Sequence, residues 1–159
     1  MTELYVKDGD TYRVAGRTDV SHWFAETVAA ELPGTLIASP ADSESFLVTA
    51  LQAAPAELFA VIYLNTRHAV LKFEIAFRGT IDNTTVYPRE IVRRSIELNA
   101  AAVIFAHNHP SGVATPSDAD RIITHRLRTA LELVDVRVLD HFVVTASGKC
   151  SSLAALGMM

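Results

Sequence analysis

The chain has 159 residues, 50% of them hydrophobic and 20% charged, which is the composition of one compact globular domain and excludes a disordered protein. Its formal net charge of −4 argues against a protein whose main role is to coat nucleic acid, because such binding depends on Lys and Arg neutralising phosphates. The apolar runs are far shorter than the roughly 20 residues that cross a bilayer. No signal-peptide pattern is visible, and the single Cys150 cannot form an internal disulfide. We therefore expect a cytoplasmic protein with no membrane partner.

The first 40 residues have the pattern of a short extension made of a hairpin and a helix. Two short apolar stretches flank an Asp-Gly pair at positions 8–9, which is typical of a hairpin turn. A helix capped by Asp19 or Ser21 is predicted to run to Leu32, where Pro33-Gly34 ends it. We take residues 1–40 as this extension and residues 41–159 as the main domain.

The rest of the chain alternates helical and strand patterns, as α/β proteins do. The predicted strands cover residues 58–64, 69–77, 100–106 and 136–145, with Gly79 and Asp82-Asn83 ending the second of them. The predicted helices begin at Ser39-Pro40, cover residues 88–99, and cover residues 117–133. We predict an α/β fold in which a curved mixed β-sheet carries helices packed on its faces.

Two histidines and an aspartate lie close together in the segment VIFAHNHPSGVATPSDAD, residues 103–120. His107 and His109 end an apolar strand two residues apart, so both imidazoles leave the same face. Asp120 falls in the first turn of the next helix, which carries a third ligand back toward the histidines. Catalytic zinc usually takes three protein ligands and leaves the fourth position to water, and no cysteine lies nearby to make a closed structural site. The pattern indicates an open metal site of the catalytic type.

The same residues have an explanation that needs no metal. Ser117 as N-cap and Asp120 three residues later would form a variant capping box, and a single histidine at a strand end is commonly structural. Two imidazoles on one side of a strand, next to a turn, are harder to explain by packing. The constellation favours a metal site, with the capping box as the alternative.

The segment His107-Asn108-His109-Pro110 followed by Ser117 and Asp120 resembles the JAMM (MPN+) metalloprotease motif, in which seven residues separate the second histidine from the serine. More narrowly, HNHPSG, TPSDAD, the preceding PREIVRRSIELNAAAVI and the following VRVLDHFVV resemble the RadC family, a bacterial branch of that fold. The resemblance implies a JAMM/MPN-like (cytidine-deaminase-like) domain with His107, His109 and Asp120 as ligands of Zn²⁺. It also implies a zinc-dependent metallopeptidase or isopeptidase-like hydrolase that acts on a protein or peptide.

The family pattern further requires an upstream glutamate as general base on the metal-activated water. Glu57, Glu74 and Glu90 are the candidates, and we choose Glu57 because residues 55–62 resemble the family's junction of its first helix and first strand. Glu74 is expected mid-strand facing solvent, and Glu90 in the first turn of a helix, where a carboxylate favours the positive end of the dipole. By the same resemblance, Ser117 is a catalytic residue that donates a hydrogen bond to the developing oxyanion.

Two further polar side chains flank the motif. Asn108 points to the face opposite its histidine neighbours, and we expect it to order the turn. His141 recurs in the family pattern near the site, although a core histidine is the simpler expectation from the residues alone.

Two other functions stay open at this point. One is a non-catalytic JAMM-fold scaffold or DNA-repair-associated binding protein, and the other is a metal-dependent nuclease that needs His107. RadC proteins as usually described begin with a helix-hairpin-helix region, and this chain resembles the short form that lacks it. Together with the net charge, this makes DNA a less favoured partner than protein. The substrate and the oligomeric state are not indicated.

Overall fold

The computed structural model describes residues 4–79 and 86–159, and within them helices and strands alternate along the chain. The predicted turn at Asp82-Asn83 lies outside the described residues. The elements in chain order are β1 (Tyr5–Asp8), β2 (Thr11–Val14), α1 (Arg17–Glu31), α2 (Pro40–Leu51), β3 (Leu58–Leu64), β4 (Val70–Arg78), α3 (Pro88–Glu97), β5 (Ala102–His109), α4 (Asp118–Glu132), β6 (Arg137–Thr145) and β7 (Cys150–Ser152).

In the described part of the chain, the main sheet has five strands in the order β4-β3-β5-β6-β7. β5 and β6 are parallel and the other neighbouring pairs are antiparallel, so the predicted mixed sheet is confirmed. Parallel strands need a crossover connection, and α4 supplies it between β5 and β6. The sequence prediction ended the sheet at β6 and missed β7, which has three residues and pairs with β6.

Helices cover both faces of the sheet, which confirms the predicted α/β architecture. On the first face, Ala102, Ile104 and Ala106 of β5 share a buried cluster with Leu47 and Leu51 of α2. On the second face, a cluster joins β5 to α3 and α4 through Val103, Phe105, Ile91, Leu127 and Leu131. Strands buried on both faces read as continuous apolar runs, and β3, with the sequence LFAVIYL, is one.

The N-terminal hairpin is separate from the main sheet. β1 and β2 form a two-stranded antiparallel sheet of their own, as predicted. Ala29 and Leu32, at the end of α1 and just beyond it, pack against the first-face cluster, and a bridge between Leu36 and Ala69 ties the following segment to the start of β4. The division at residue 40 stays a prediction. Among the described helices, none combines the length and the apolar character that a membrane crossing requires.

A buried carboxylate joins β6 to the chain after β7. Asp140 is 6% exposed, and its Oδ1 accepts hydrogen bonds from the backbone N–H groups of His141 (2.7 Å) and Ala154 (3.1 Å). Its Oδ2 accepts from the Ser152 hydroxyl at 2.6 Å. Both oxygens of Asp140 therefore serve donors from within the protein, and the C-terminal turn is held against the sheet.

We expect Asp140→Asn to lower the free energy of unfolding by about 1–3 kcal/mol, because the amide loses the carboxylate charge and the Ser152 hydroxyl must give up its bond to Oδ2 to accept from the new NH₂. Urea denaturation of the two proteins measures the difference. Asp118→Asn is the matched control, since the Asp118 side chain is 91% exposed, and its effect should be near zero. Equal stability of Asp140→Asn and wild type would contradict this role.

Candidate metal centre

The structure brings His107, His109 and Asp120 together at one end of the sheet. The two Nε2 atoms lie 2.9 Å apart. Oδ1 of Asp120 lies 3.1 Å from Nε2 of His107, and Oδ2 lies 3.5 Å from Nε2 of His109. His107 is buried, while His109 and Asp120 are partly buried. The three side chains form a cluster that could hold a metal ion.

The cluster follows from the alternation of side chains along β5. Val103 and Phe105 face α3 and α4, so His107 and His109 face the same way, and α4 packs on that face with Asp120 in its first turn. Asn108 faces the other side of the sheet. The histidines of β5 and the aspartate at the start of α4 therefore meet, because α4 covers the face from which both imidazoles project.

His109 is oriented by the loop that follows β5. Its Nδ1 lies 2.7 Å from the carbonyl oxygen of Val113. Gly112, with a φ of 84°, allows the loop to turn back, and its N–H donates to the carbonyl of His109 at 3.1 Å. Because a carbonyl only accepts, the proton of a neutral His109 lies on Nδ1, and its Nε2 offers a lone pair to the cluster.

His107 is oriented by His141, which the family resemblance had placed near the site, and through it by Thr124, which was not predicted. Its Nδ1 lies 2.8 Å from Nε2 of His141, and Nδ1 of His141 lies 2.5 Å from the Thr124 hydroxyl. His141 is fully buried, with the rings of Phe59 and Phe105 against it. Two expectations were stated for His141, a core histidine and a residue near the site, and both describe it. His141 lies opposite Phe105, on the same face as His107, and the family resemblance was the signal that could place it there.

The capping box predicted as the alternative is present as well. Oδ2 of Asp120 accepts from the backbone N–H of Ser117 at 2.6 Å and from its hydroxyl at 2.7 Å, and the Asp120 N–H donates to Ser117 Oγ at 3.1 Å. Oδ1 is directed at His107. One carboxylate therefore caps α4 and completes the cluster, so the two explanations do not exclude each other.

The charges at the cluster are strongly coupled. Burial alone would raise the pKa of Asp120, but hydrogen bonds with His107 and His109 outweigh it and hold this pKa well below its usual range. The hydrogen bond with Asp120 raises the pKa of His109 above its ordinary value, against the effect of burial. Burial lowers the pKa of His141 well below the ordinary value for histidine, which favours its neutral form. The cluster favours positive charge at its centre.

The donor set fits a metal ion of the size and preference of zinc. Tetrahedral ligands at the usual distances of about 2.0–2.1 Å from zinc stand about 3.3 Å apart. The corresponding separations here are 2.9, 3.1 and 3.5 Å. Cys150 packs on the opposite face of the sheet, and burial raises the pKa of its thiol to about 12, so it supplies no thiolate to this cluster.

Glu57 lies at the same end of the sheet, directly before β3. β3 runs antiparallel to β5 with Phe59 opposite His107, which brings the start of β3 beside the end of β5. The Glu57 side chain is partly buried, its carbonyl accepts from the N–H of Gly79 at 2.9 Å, and its charge adds to the causes that raise the pKa of His109. The structure thus brings Glu57 to the neighbourhood of the cluster.

Asn108 fixes the segment that carries Glu57. Its Oδ1 accepts from the Leu58 N–H at 2.7 Å, and its Nδ2 donates to the carbonyls of Ala56 (3.0 Å) and Ala54 (3.4 Å). Asn108 was expected to order its own turn, and that expectation is wrong. The side chain, 2% exposed, instead binds the connection between α2 and β3. A contact over fifty residues of sequence leaves no local signal.

The two other glutamates are engaged elsewhere. Glu74 was expected to face solvent, but its side chain is only 24% exposed. Its carboxylate pairs with the Arg94 guanidinium, whose Nε lies 3.0 and 2.9 Å from the two oxygens. Glu90 lies in the first turn of α3, as predicted, and pairs with Arg93 at 3.2 Å. Neither carboxylate is among the groups placed at the cluster.

Comparison with known proteins places the chain in a family. The profile of the RadC-like JAB domain matches residues 37–158. A UPF0758 protein of Marinobacter nauticus is 56% identical over 126 residues, which are 79% of this chain and 56% of that protein. A UPF0758 protein of Halorhodospira halophila is 54% identical over the same length, with the same coverage. A third, from Thioalkalivibrio sulfidiphilus, is 58% identical over 111 residues, or 70% of this chain and 50% of that protein.

The chain spans about half the length of the curated relatives that it matches. Their names state no activity. The family profile covers the sheet from β3 to β7 and every residue of the cluster, and the fold has the mixed sheet and flanking helices of a JAB/MPN domain. The chain therefore belongs to the RadC family, and its JAB domain carries the cluster of His107, His109 and Asp120.

Proposed function

We propose that this protein is a zinc-dependent hydrolase of the metallopeptidase or isopeptidase-like type, acting on a protein or peptide in the cytoplasm. One observation carries the proposal. Two imidazole Nε2 atoms and the carboxylate oxygens of Asp120 converge at separations of 2.9, 3.1 and 3.5 Å, which is unfavourable for three acceptors unless a proton or a cation lies between them. Membership of the RadC family supports the same conclusion.

In the proposed site, His107, His109 and Asp120 would hold the zinc ion. Bound zinc supplies Lewis-acid chemistry and lowers the pKa of water to about 7. Two imidazoles and one carboxylate are the ligand types of catalytic zinc sites, whereas closed structural sites rely on thiolates. The composition of the cluster therefore supports a catalytic role over a structural one.

Glu57 is the proposed general base. Its carboxylate would take a proton from the attacking water and deliver it to the leaving amine. Its place beside the end of β5, with Asn108 binding the backbone on both sides of it, supports this role. Glu74 and Glu90 are engaged by arginines, which makes Glu57 the carboxylate available for proton transfer among these three.

Ser117 is the proposed oxyanion donor. Its hydroxyl now donates to Oδ2 of Asp120 while accepting from the Asp120 N–H. Turning the proton toward a substrate oxygen keeps the acceptor half of the cap, and the backbone N–H of Ser117 still binds Oδ2. The serine can therefore serve α4 and the reaction together.

The proposed reaction is tested by exposing the zinc-loaded protein to peptides from a digested bacterial proteome and to DNA fragments in parallel. We expect new peptide termini by mass spectrometry and intact DNA, as the net charge of −4 favours. Glu57→Gln should retain zinc and lose about 10²–10⁴-fold in cleavage rate, because it cannot accept the proton. Glu90→Gln, which changes a partly exposed carboxylate in α3, is the matched control and should cleave as wild type does.

Three results would contradict this proposal. Cleavage of DNA alone would favour the nuclease, and zinc binding without any cleavage would favour the scaffold. Peptide cleavage that survives in Glu57→Gln would reject Glu57 as the base.

Zinc affinity should fall as the pH falls. In the metal-free protein Asp120 raises the pKa of His109, so this imidazole keeps its proton above the ordinary value of about 6.5, and zinc must displace it. Competition with a chromophoric chelator should give at least about tenfold weaker binding at pH near 6 than near 8. Asp120→Ala, which lacks one ligand, is the low-affinity reference. An affinity that does not change with pH would contradict ligation by the histidines.

Ser117→Ala should lower both stability and turnover. Loss of the cap costs about 1 kcal/mol of unfolding free energy, and loss of the oxyanion donor costs about 10²–10³-fold in kcat. Ser39→Ala is the matched control, because Ser39 is the N-cap of α2 and its side chain hydrogen-bonds with Asp42 in a capping box, as Ser117 does with Asp120 in α4. The control should change stability alone. Equal kcat for Ser117→Ala and wild type would leave Ser117 with the capping role only.

A further inference from the structure

We propose that His141 and Thr124 are positioning residues that set the tautomer of His107, so that its Nε2 reaches the metal without a proton. The inference rests on the proposed metal site and is independent of which bond the protein hydrolyses. Its basis is a chain of three short contacts that runs from the backbone of one ligand to the ring of another.

The chain begins at the Thr124 hydroxyl. Its Oγ1 lies 2.5 Å from the carbonyl oxygen of Asp120, one turn back in α4, and 2.5 Å from Nδ1 of His141. A hydroxyl has one proton, and a carbonyl oxygen can only accept. The proton therefore goes to the Asp120 carbonyl, because otherwise two acceptor oxygens would face each other at 2.5 Å. Toward His141 the hydroxyl is left as an acceptor.

The direction of these hydrogen bonds then fixes the tautomer of His141. Its Nδ1 donates to Thr124, and a neutral imidazole with its proton on Nδ1 has a lone pair on Nε2. The ring is fully buried between Phe59 and Phe105, and its two nitrogens contact Thr124 and His107. A ring held in this way has no other orientation that satisfies both nitrogens.

The last contact, between His141 and His107, fixes the tautomer of His107. Its Nδ1 lies 2.8 Å from the unprotonated Nε2 of His141 and therefore donates to it. The neutral His107 ring then carries its lone pair on Nε2, which points at His109 and Asp120. A neutral His109 also has its lone pair on Nε2, because its Nδ1 donates to the Val113 carbonyl.

The two ligands thus differ in what orients them. A backbone carbonyl orients His109 directly, while the tautomer of His107 depends on two side chains and traces back to the carbonyl of Asp120. Outer-shell partners of ligating histidines commonly contribute about 10- to 100-fold in metal affinity, by fixing the tautomer and raising the basicity of the ligand. His141 and Thr124 have the geometry for such a contribution.

The test compares Thr124→Val with Thr124→Ser. Valine has nearly the shape of threonine but cannot accept from His141, whereas serine keeps the hydroxyl. Thr49→Val is the matched control, because the Thr49 hydroxyl donates to the Ser45 carbonyl one turn back in α2, a helix that packs on the other face of the sheet. Two quantities are measured: zinc affinity by chelator competition, and the tautomers of His107 and His141 in the metal-free protein by long-range ¹H–¹⁵N NMR.

We expect both rings to be protonated on Nδ1 in the wild type. Thr124→Val should weaken zinc binding by about 10- to 100-fold and populate the Nε2-protonated form of His107. Thr124→Ser should restore both, and Thr49→Val should match the wild type. His141→Gln is a second variant, since its amide oxygen can accept from His107, and it should bind zinc more tightly than His141→Leu.

Unchanged affinity and tautomers in Thr124→Val would overturn the inference, as would a wild-type His107 protonated on Nε2. A wild type that binds no zinc would instead overturn the proposed metal site. In that case the NMR measurement on the metal-free protein still decides the tautomer chain.

Discussion

The site depends on one constraint, which is that α4 packs on the face of β5 from which His107 and His109 project. Alternation along the strand sends both imidazoles to that face, and the packing of Leu127 and Leu131 against it brings the first turn of α4 over them. Had α4 packed on the opposite face, Asp120 and the histidines would be separated by the sheet. The cluster is therefore a consequence of the hydrophobic core beneath it.

Asp120 combines two tasks that are usually separate. One oxygen receives two hydrogen bonds from Ser117 and so caps α4, and the other faces His107. The cap holds the carboxylate in place before any ion arrives, so little conformational entropy is lost when a ligand binds. In their neutral forms, the two histidines would add two lone pairs to the same small space, which favours a cation there. Helix capping and the proposed metal binding are in this way parts of one arrangement.

Most elements could be predicted from local pattern, and the misses have physical causes. β3 has the predicted bounds because its apolar run is continuous, and α4 begins beside its predicted cap. β7 was missed because three residues carry no periodicity and form a strand only by pairing with β6. Glu74 was misplaced because its partner, Arg94, comes from α3, twenty residues later. Asn108 binds residues about fifty positions earlier, and nothing near it in the chain indicates that contact.

The spacing of His107, His109, Ser117 and Asp120 is local, and strand alternation and helix capping act over a few residues, so these four side chains could be placed from the amino-acid order alone. The surroundings of the site could not: Glu57 and His141 were placed near it only through the family resemblance, and Thr124 was not predicted. Thr124 and His141 come from α4 and β6, Glu57 from the start of β3, and Asn108 acts through the opposite face of the sheet. Their contacts exist because the two hydrophobic clusters fix how distant elements pack, and the strength of such packing is a property of the folded chain, not of any one segment.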